Sequence, residues 1–179
     1  MSDRLRLDLV LNDFVAAALT DGKVTVLSDG TPWRPLIDTA DMALAIDWAI
    51  GRTAENGGRF LCVNAGAQQA NYQVHYLAER VAAAIPGTQT SINHDAPADS
   101  RSYRVDFSKY AQHAPGHQPR VTLDQSISQL VSGLGSLGFV DPEFRNSPLI
   151  RLKVIQGHVE SGRLTGDLRW SSTAAENVA

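Results

Sequence analysis

Apolar positions along this chain switch between a period near 3.6 and short continuous runs, and the switches predict alternating helix and strand. Leu7, Val10, Leu11, Phe14, Val15, Ala18 and Leu19 recur at helical spacing up to Gly22, so the first element is an amphipathic helix. Val24-Thr25-Val26-Leu27 reads as a short strand ended by the Asp29-Gly30 turn. A short extended segment follows Arg34. It leads to a second helical stripe of Met42, Ala45, Ile46, Ala49 and Ile50, capped at Asp38 or Thr39 and stopped by Gly51. Phe60-Leu61-Cys62-Val63 is continuously apolar before Asn64, the pattern of a strand buried on both faces.

Val74, Leu77, Ala78, Val81, Ala82 and Ile85 give a third helix, broken by Pro86-Gly87. Thr88 to Ile92 forms a β-segment, and Tyr103, Val105 and Phe107 alternate with polar neighbours as in a half-buried strand. Thr122 with Gln125 makes a capping box for a helix carrying Leu123, Ile127, Leu130, Val131 and Leu134. Ser147-Pro148 caps a last helix using Leu149, Leu152 and Ile155. The order is mixed helix and strand with no repeat and no linker, which predicts one α/β unit over residues 1–170. The small, polar stretch 171–179 is expected to be a disordered tail. From Arg34 to Asn64 the order is strand, helix, buried strand, as in a parallel crossover belonging to a larger sheet.

Length and composition agree with one domain: 179 residues at 43% hydrophobic content can bury one core. A net charge of -3 gives no basic footprint, so nucleic acid and anionic membrane are not expected partners. Cys62, the only cysteine, sits inside an apolar run and is expected to be buried and inert, with no disulfide framework. No stretch has the length and apolarity of a membrane span, and a cytoplasmic location is expected.

Candidate chemistry centres on Ser28-Asp29-Gly30-Thr31-Pro32-Trp33-Arg34-Pro35-Leu36-Ile37-Asp38-Thr39-Ala40-Asp41, where a tight turn and one arginine precede an acidic-capped helix. The planar guanidinium of Arg34 suits a diphosphate through paired charge-assisted bonds; a solvated surface arginine is the other reading. The stretch resembles the Gly-Asp-Gly-x-x-x-Arg-Asp-x-x-x-x-x-Asp segment of NAD-dependent nucleotide-sugar epimerases and dehydratases, the extended branch of the short-chain dehydrogenase/reductase family. Ser28 replaces the first glycine and Pro35 the aspartate. A second block, Asp99-Ser100-Arg101-Ser102-Tyr103-Arg104-Val105-Asp106-Phe107-Ser108-Lys109, is similar to the Asp-x-Arg…Asp-x-x-Lys region late in these enzymes. Leu11-Asn12-Asp13-Phe14, Asn64-Ala65-Gly66 and Thr122-Leu123-Asp124-Gln125-Ser126-Ile127 extend the similarity.

That resemblance implies the carboxy-terminal portion of an extended short-chain dehydrogenase/reductase fold: few short strands with several amphipathic helices, without the amino-terminal Rossmann half. It implies substrate-binding roles for Arg34 and Arg101 on the diphosphate and for Asn12 on the sugar or base; a pair with Asp99 is the alternative for Arg101, and a surface position for Asn12. Gly66 with Gln68 serves a turn, and Lys109 caps or pairs near a short helix. Arg104 is expected to be solvated.

The sequence contains neither the family's Gly-x-x-Gly-x-x-Gly cofactor loop nor its Tyr-x-x-x-Lys pair; the residues four before Lys23, Lys109 and Lys153 are Leu19, Val105 and Leu149. No catalytic, cofactor-binding or metal-binding residue is therefore assigned. NAD(P) is expected only with a complementary Rossmann lobe. Gly133-Leu134-Gly135-Ser136-Leu137-Gly138 fits a dinucleotide string but ends a helix, so it is read as a stop. His113 and His117 lack further metal ligands nearby in sequence. The expected function is a substrate-recognition lobe for a nucleotide sugar or nucleoside diphosphate, inactive without its cofactor lobe, with a cofactor-lobe chain or self-association as partner. The alternative is a non-catalytic interaction or assembly module, or a truncated gene product, that retains the lobe.

Overall fold

A computed structural model describes residues 5–96 and 101–171. Helix α1 (Val10–Asp21) ends at Gly22, and strand β1 (Lys23–Val26) follows at once. Strand β2 (Trp33–Pro35) runs into helix α2 (Thr39–Gly51), whose first turn is capped by the Asp38 side chain accepting from Ala40 N. Strand β3 (Asn71–Gln73), helix α3 (Val74–Ala84) and strand β4 (Gln89–Ile92) come next. Helices α4 (Ser108–His113), α5 (Leu123–Ser136) and α6 (Arg151–Glu160) complete the described order. The chain is α/β, with few short strands in two small sheets: β1 and β4 are parallel in the register Val24↔Thr90, and β2 and β3 antiparallel with Arg34 opposite Tyr72.

The main core lies where α1 and α3 cover the inner face of β1 and α5 packs across both helices. Phe14, Val15, Val24, Val26, Leu77, Val81, Ile127 and Leu134 are buried there, and Phe144 closes the bottom. Burial of side chains this size, at roughly 1.5 to 3 kcal/mol each, is what holds so small a sheet in place. The Thr122–Gln125 capping box forms in full, with each side chain bonded to the other residue's backbone. A second, smaller cluster joins Ala45 and Trp48 of α2 to Tyr110 and Ala114, with Leu61, Val63 and Ala65 packed against it.

Five expectations are corrected. The run Phe60–Asn64 joins neither sheet among the described residues; one face packs on the second cluster, while Phe60 is 87% exposed. Cys62 is consequently exposed, since it shares the outward face with Phe60. Residues 102–107 form no strand, because the Asn71 side chain takes both main-chain groups of Val105, donating to its carbonyl and accepting from its N–H. The inward face of α2 is Asp41, Ala45 and Trp48, leaving Met42, Ile46 and Ile50 outside. The last helix also starts late, at Arg151, after Leu149 and Ile150 have turned to the core; α6 itself buries no residue. The expected tail falls on residues 172–179, outside the described residues apart from Ser171.

Two carboxylates, Asp106 at the start of α4 and Asp8 just ahead of α1, add to the acid response of the fold. Asp106 accepts from Ser108 N and Ser108 Oγ at the start of α4, and these bonds hold its carboxyl below the usual range. The Arg6 side chain does the same to Asp8. A lowered folded value stabilises the native state above the unfolded carboxylate value of about 3.9, and that contribution is lost as pH falls through the folded value. Urea unfolding followed from pH 5 downward is expected to show this loss, and the Asp8→Asn/Asp106→Asn double variant a shallower slope. An unchanged slope would remove both groups from the acid response.

Candidate functional site

The β1 strand delivers the chain to a turn that its own side chains close. Gly30 N donates to Ser28 Oγ, while Asp29 accepts from Thr31 N and Thr31 Oγ1. Gly30 sits at φ 84, and a Cβ there would lie 2.7 Å from His75 Cβ; the His75 amide and ring Nδ1 both meet the Gly30 carbonyl at 2.9 Å. The turn is thus pinned to the start of α3. This fixes where Arg34 leaves β2, two residues after the buried Pro32.

From β2 the Arg34 guanidinium donates through Nη1 to the Trp33 carbonyl at 2.8 Å and to the Arg101 carbonyl at 2.9 Å. The segment after Arg101 is held on the same strand. Trp33 N donates to Ser102 Oγ at 3.1 Å, and the Arg104 guanidinium lies over the Trp33 ring, 4.5 Å from its centroid. The structure therefore brings Arg34 and Arg101 together, although they are far apart in sequence. Both line one open groove of about 1280 Å3, whose walls include Val26 and Leu27 of the β1 end, Met42 and Tyr103. The suggested Asp99 partner of Arg101 lies outside the described residues.

Farther along, the groove carries both signs of charge. Arg145 donates to both carboxylate oxygens of Asp13 at 2.8 and 2.9 Å, and its pKa is raised chiefly by that bond. Asp8 is engaged by Arg6. Those charges compensate one another, and at the other end two separate segments each bring an arginine, Arg34 and Arg101, to the groove.

Asn12 does not join these arginines. Its Nδ2 donates to the Arg6 carbonyl at 2.8 Å, and it lines a separate cavity of about 310 Å3 with Asp38, Asp41 and Tyr72. Lys109 donates from Nζ to the Cys62 carbonyl at 2.9 Å. His113 shares two bonds with Asn56, through ring and carbonyl, and His117 approaches Asp47 at 3.7 Å. Among the described residues no three metal-ligating side chains come together. Also among them, no helix is long and apolar enough to cross a membrane.

Sequence reasoning missed two contacts of the groove. Arg104 is exposed, as expected, and its guanidinium also lies over the Trp33 ring, holding the Arg101 segment against β2; the alternation that marked it as outward says nothing of an aromatic face beyond the strand. The Arg145–Asp13 pair spans most of the chain, and no local signal joins the two residues.

A small parallel sheet under helices α1 and α3, with an arginine-bearing groove at the end of its first strand, belongs to a partial α/β fold. Residues 4–66 match the family model described as NAD dependent epimerase/dehydratase family. The chain is similar to that family over α1, β1, β2, α2 and the extended run to Gly66, so the resemblance read from the sequence holds across this segment. Asn12 and Arg34 lie inside the match, and Arg101 beyond it. A comparison with curated proteins gives no match.

Proposed function

We propose that this chain is the substrate-recognition lobe of an NAD-dependent nucleotide-sugar epimerase- or dehydratase-like protein, binding the diphosphate of its ligand through Arg34 and Arg101. The observation that carries the reading is the convergence of those two segments on one groove, with the Arg34 guanidinium on the Arg101 carbonyl. Planar guanidinium groups can bind adjacent phosphate oxygens in pairs, and the apolar wall of Val26, Leu27 and Met42 suits the body of a nucleoside. Asn12 contributes by position: it holds the Arg6 carbonyl and so fixes the segment that brings Asp8 and Leu9 to the groove. Redox chemistry would need NAD(P) on a complementary Rossmann lobe, because the sequence has no Gly-x-x-Gly-x-x-Gly loop and no Tyr-x-x-x-Lys pair.

Calorimetric titration with uridine diphosphate and adenosine diphosphate tests the reading. Binding to the chain alone is expected to be weak. Arg34→Ala and Arg101→Ala are each expected to weaken it by about tenfold or more, the scale of a lost charge-assisted bond. Binding unchanged in both variants would overturn the assignment. A second reading, an interaction or assembly module, is favoured by the outward Met42, Ile46 and Ile50 of α2.

A further inference from the structure

Next to the groove lies a second space that diphosphate binding does not use. The cavity of about 310 Å3 shares Leu9, Leu36 and Ile37 with the groove but includes neither Arg34 nor Arg101, and every wall of it belongs to this chain. Its size is that of the smaller ligand pockets, roughly 300 Å3. Most of the lining is apolar, with Leu123 and Leu130 of α5 facing Leu9 and Leu36 across it. The charged groups on the lining are already engaged. Arg6 is paired with Asp8. Asp38 accepts from Ala40 N and Ser126 Oγ, and Asp41 from Arg120 N and Val121 N, so all four carboxylate oxygens hold a partner. Two neutral polar groups differ from these. A carbonyl can only accept, so Asn12 turns its nitrogen to the Arg6 carbonyl at 2.8 Å and keeps Oδ1 as an acceptor. Neither this oxygen nor the Tyr72 hydroxyl has a hydrogen-bond partner among the described residues, and neither is sealed from space the size of a water molecule. The Tyr72 ring is steadied by its stack on Tyr76, and burial raises the phenol pKa, so the hydroxyl keeps its proton.

We infer that this cavity binds a small uncharged molecule, an apolar ring or short chain that carries one hydroxyl group. The apolar walls take the body of the molecule. Its hydroxyl matches the two open groups, because one O–H can donate to Asn12 Oδ1 while its oxygen accepts from the Tyr72 hydroxyl. Charge selects against ions. An anion would enter beside two carboxylates and meet no cation on the lining that lacks a partner, and a cation would give up its hydration against carboxylates whose oxygens already hold bonds. A wholly apolar molecule fits the walls but leaves the amide oxygen and the phenol without water or partner. The Asp38–Ser126 bond ties α2 to α5 at this cavity, so its walls are held apart without a ligand. The cavity and the groove thus select opposite chemistries, a neutral molecule in one and an anion in the other.

Four probes of one shape test this: 4-methylphenol, toluene, 4-methylbenzoate and 4-methylbenzylamine, each titrated at millimolar concentration into the full chain and followed by amide NMR shifts. The phenol is expected to shift the amides of Asn12, Tyr72 and Leu123, to bind at least threefold tighter than toluene, and to bind at least tenfold tighter than either ion. Tyr72→Phe should weaken the phenol about three- to tenfold, the scale of one hydrogen bond, and leave toluene unchanged, a difference that a merely structural role would not produce. Leu130→Trp, which fills the cavity, should abolish both, with thermal unfolding recorded to show that the variant folds; Tyr72→Phe does not depend on that outcome. Saturating uridine diphosphate should not displace the phenol, so this site stands or falls separately from the arginine groove. No binding of any probe would overturn the inference. So would an ion bound as tightly as the phenol, phenol binding unchanged in Tyr72→Phe, or displacement by the nucleotide.

Discussion

Gly66→Ala is expected to lower the free energy of unfolding by about 3 to 5 kcal/mol, from overpacking and backbone strain combined. Gly66 sits at φ 156, and a Cβ on it would lie 2.3 Å from Cε1 of the Phe107 ring and 2.7 Å from Cζ. The ring has nowhere to retreat. Phe107 is 5% exposed, and its own N–H is committed to Gln68 Oε1 at 3.0 Å, so backbone and side chain are both fixed next to the turn. The added methyl would push the extended run 60–65 away from the segment 105–107 that leads into α4, and Asn64 and Gln68 would lose their bonds to Asp106. Set against a domain stability of about 5–15 kcal/mol, such a loss takes a large share. Gly116→Ala is the control, because nothing lies within 4 Å of its added Cβ. Chemical denaturation of the two variants side by side gives the comparison; a Gly66→Ala loss under 1 kcal/mol would mean that the Phe107 contact yields easily.

The contrast between Gly66 and its surroundings shows what was legible in the sequence. Elements with their own punctuation were read closely: α1 up to Gly22, β1 before the Asp29-Gly30 turn, and α5 from its capping box. What failed were two extended segments and one helix face whose state depends on distant side chains. The apolar run 60–64 carries the pattern of a strand with both faces covered, yet only one face has a cover in this chain. Residues 102–107 alternate as a strand does, but the groups that satisfy Val105 belong to a side-chain amide on Asn71. The face of α2 was misjudged for a related reason. Counting apolar residues selects Met42, Ile46 and Ile50, whereas the bulk of Trp48 and the bonds of Asp41 turn the helix the other way. The groove follows the same rule: Arg34 and Arg101 were singled out by resemblance, while the stack of Arg104 on Trp33, which steadies them, needed coordinates.

Asp41→Ala is expected to lower stability by about 2 to 4 kcal/mol, because the carboxylate is the tie between α2 and the lead into α5. Asp41 is 4% exposed, and its two oxygens accept from Arg120 N at 2.9 Å and from Val121 N at 3.0 Å. One side chain thus serves two consecutive backbone donors just ahead of the Thr122 cap. Removing it leaves two part-buried N–H groups without partners, and each unsatisfied donor costs about 1–3 kcal/mol. The neighbouring Asp38–Ser126 bond at 2.9 Å also spans α2 and α5, so the two carboxylates act as parallel ties and the second limits the displacement after the first is lost. Asp41→Asn separates charge from shape: its amide oxygen can keep one bond while its NH2 faces the other donor, so the loss should lie between wild type and alanine. Denaturation midpoints for the three proteins, with hydrogen exchange at Arg120 and Val121, provide the check. Faster exchange at those two amides together with the ordered stability loss is the expected result; an alanine variant within 0.5 kcal/mol of wild type would show that water replaces the carboxylate without cost.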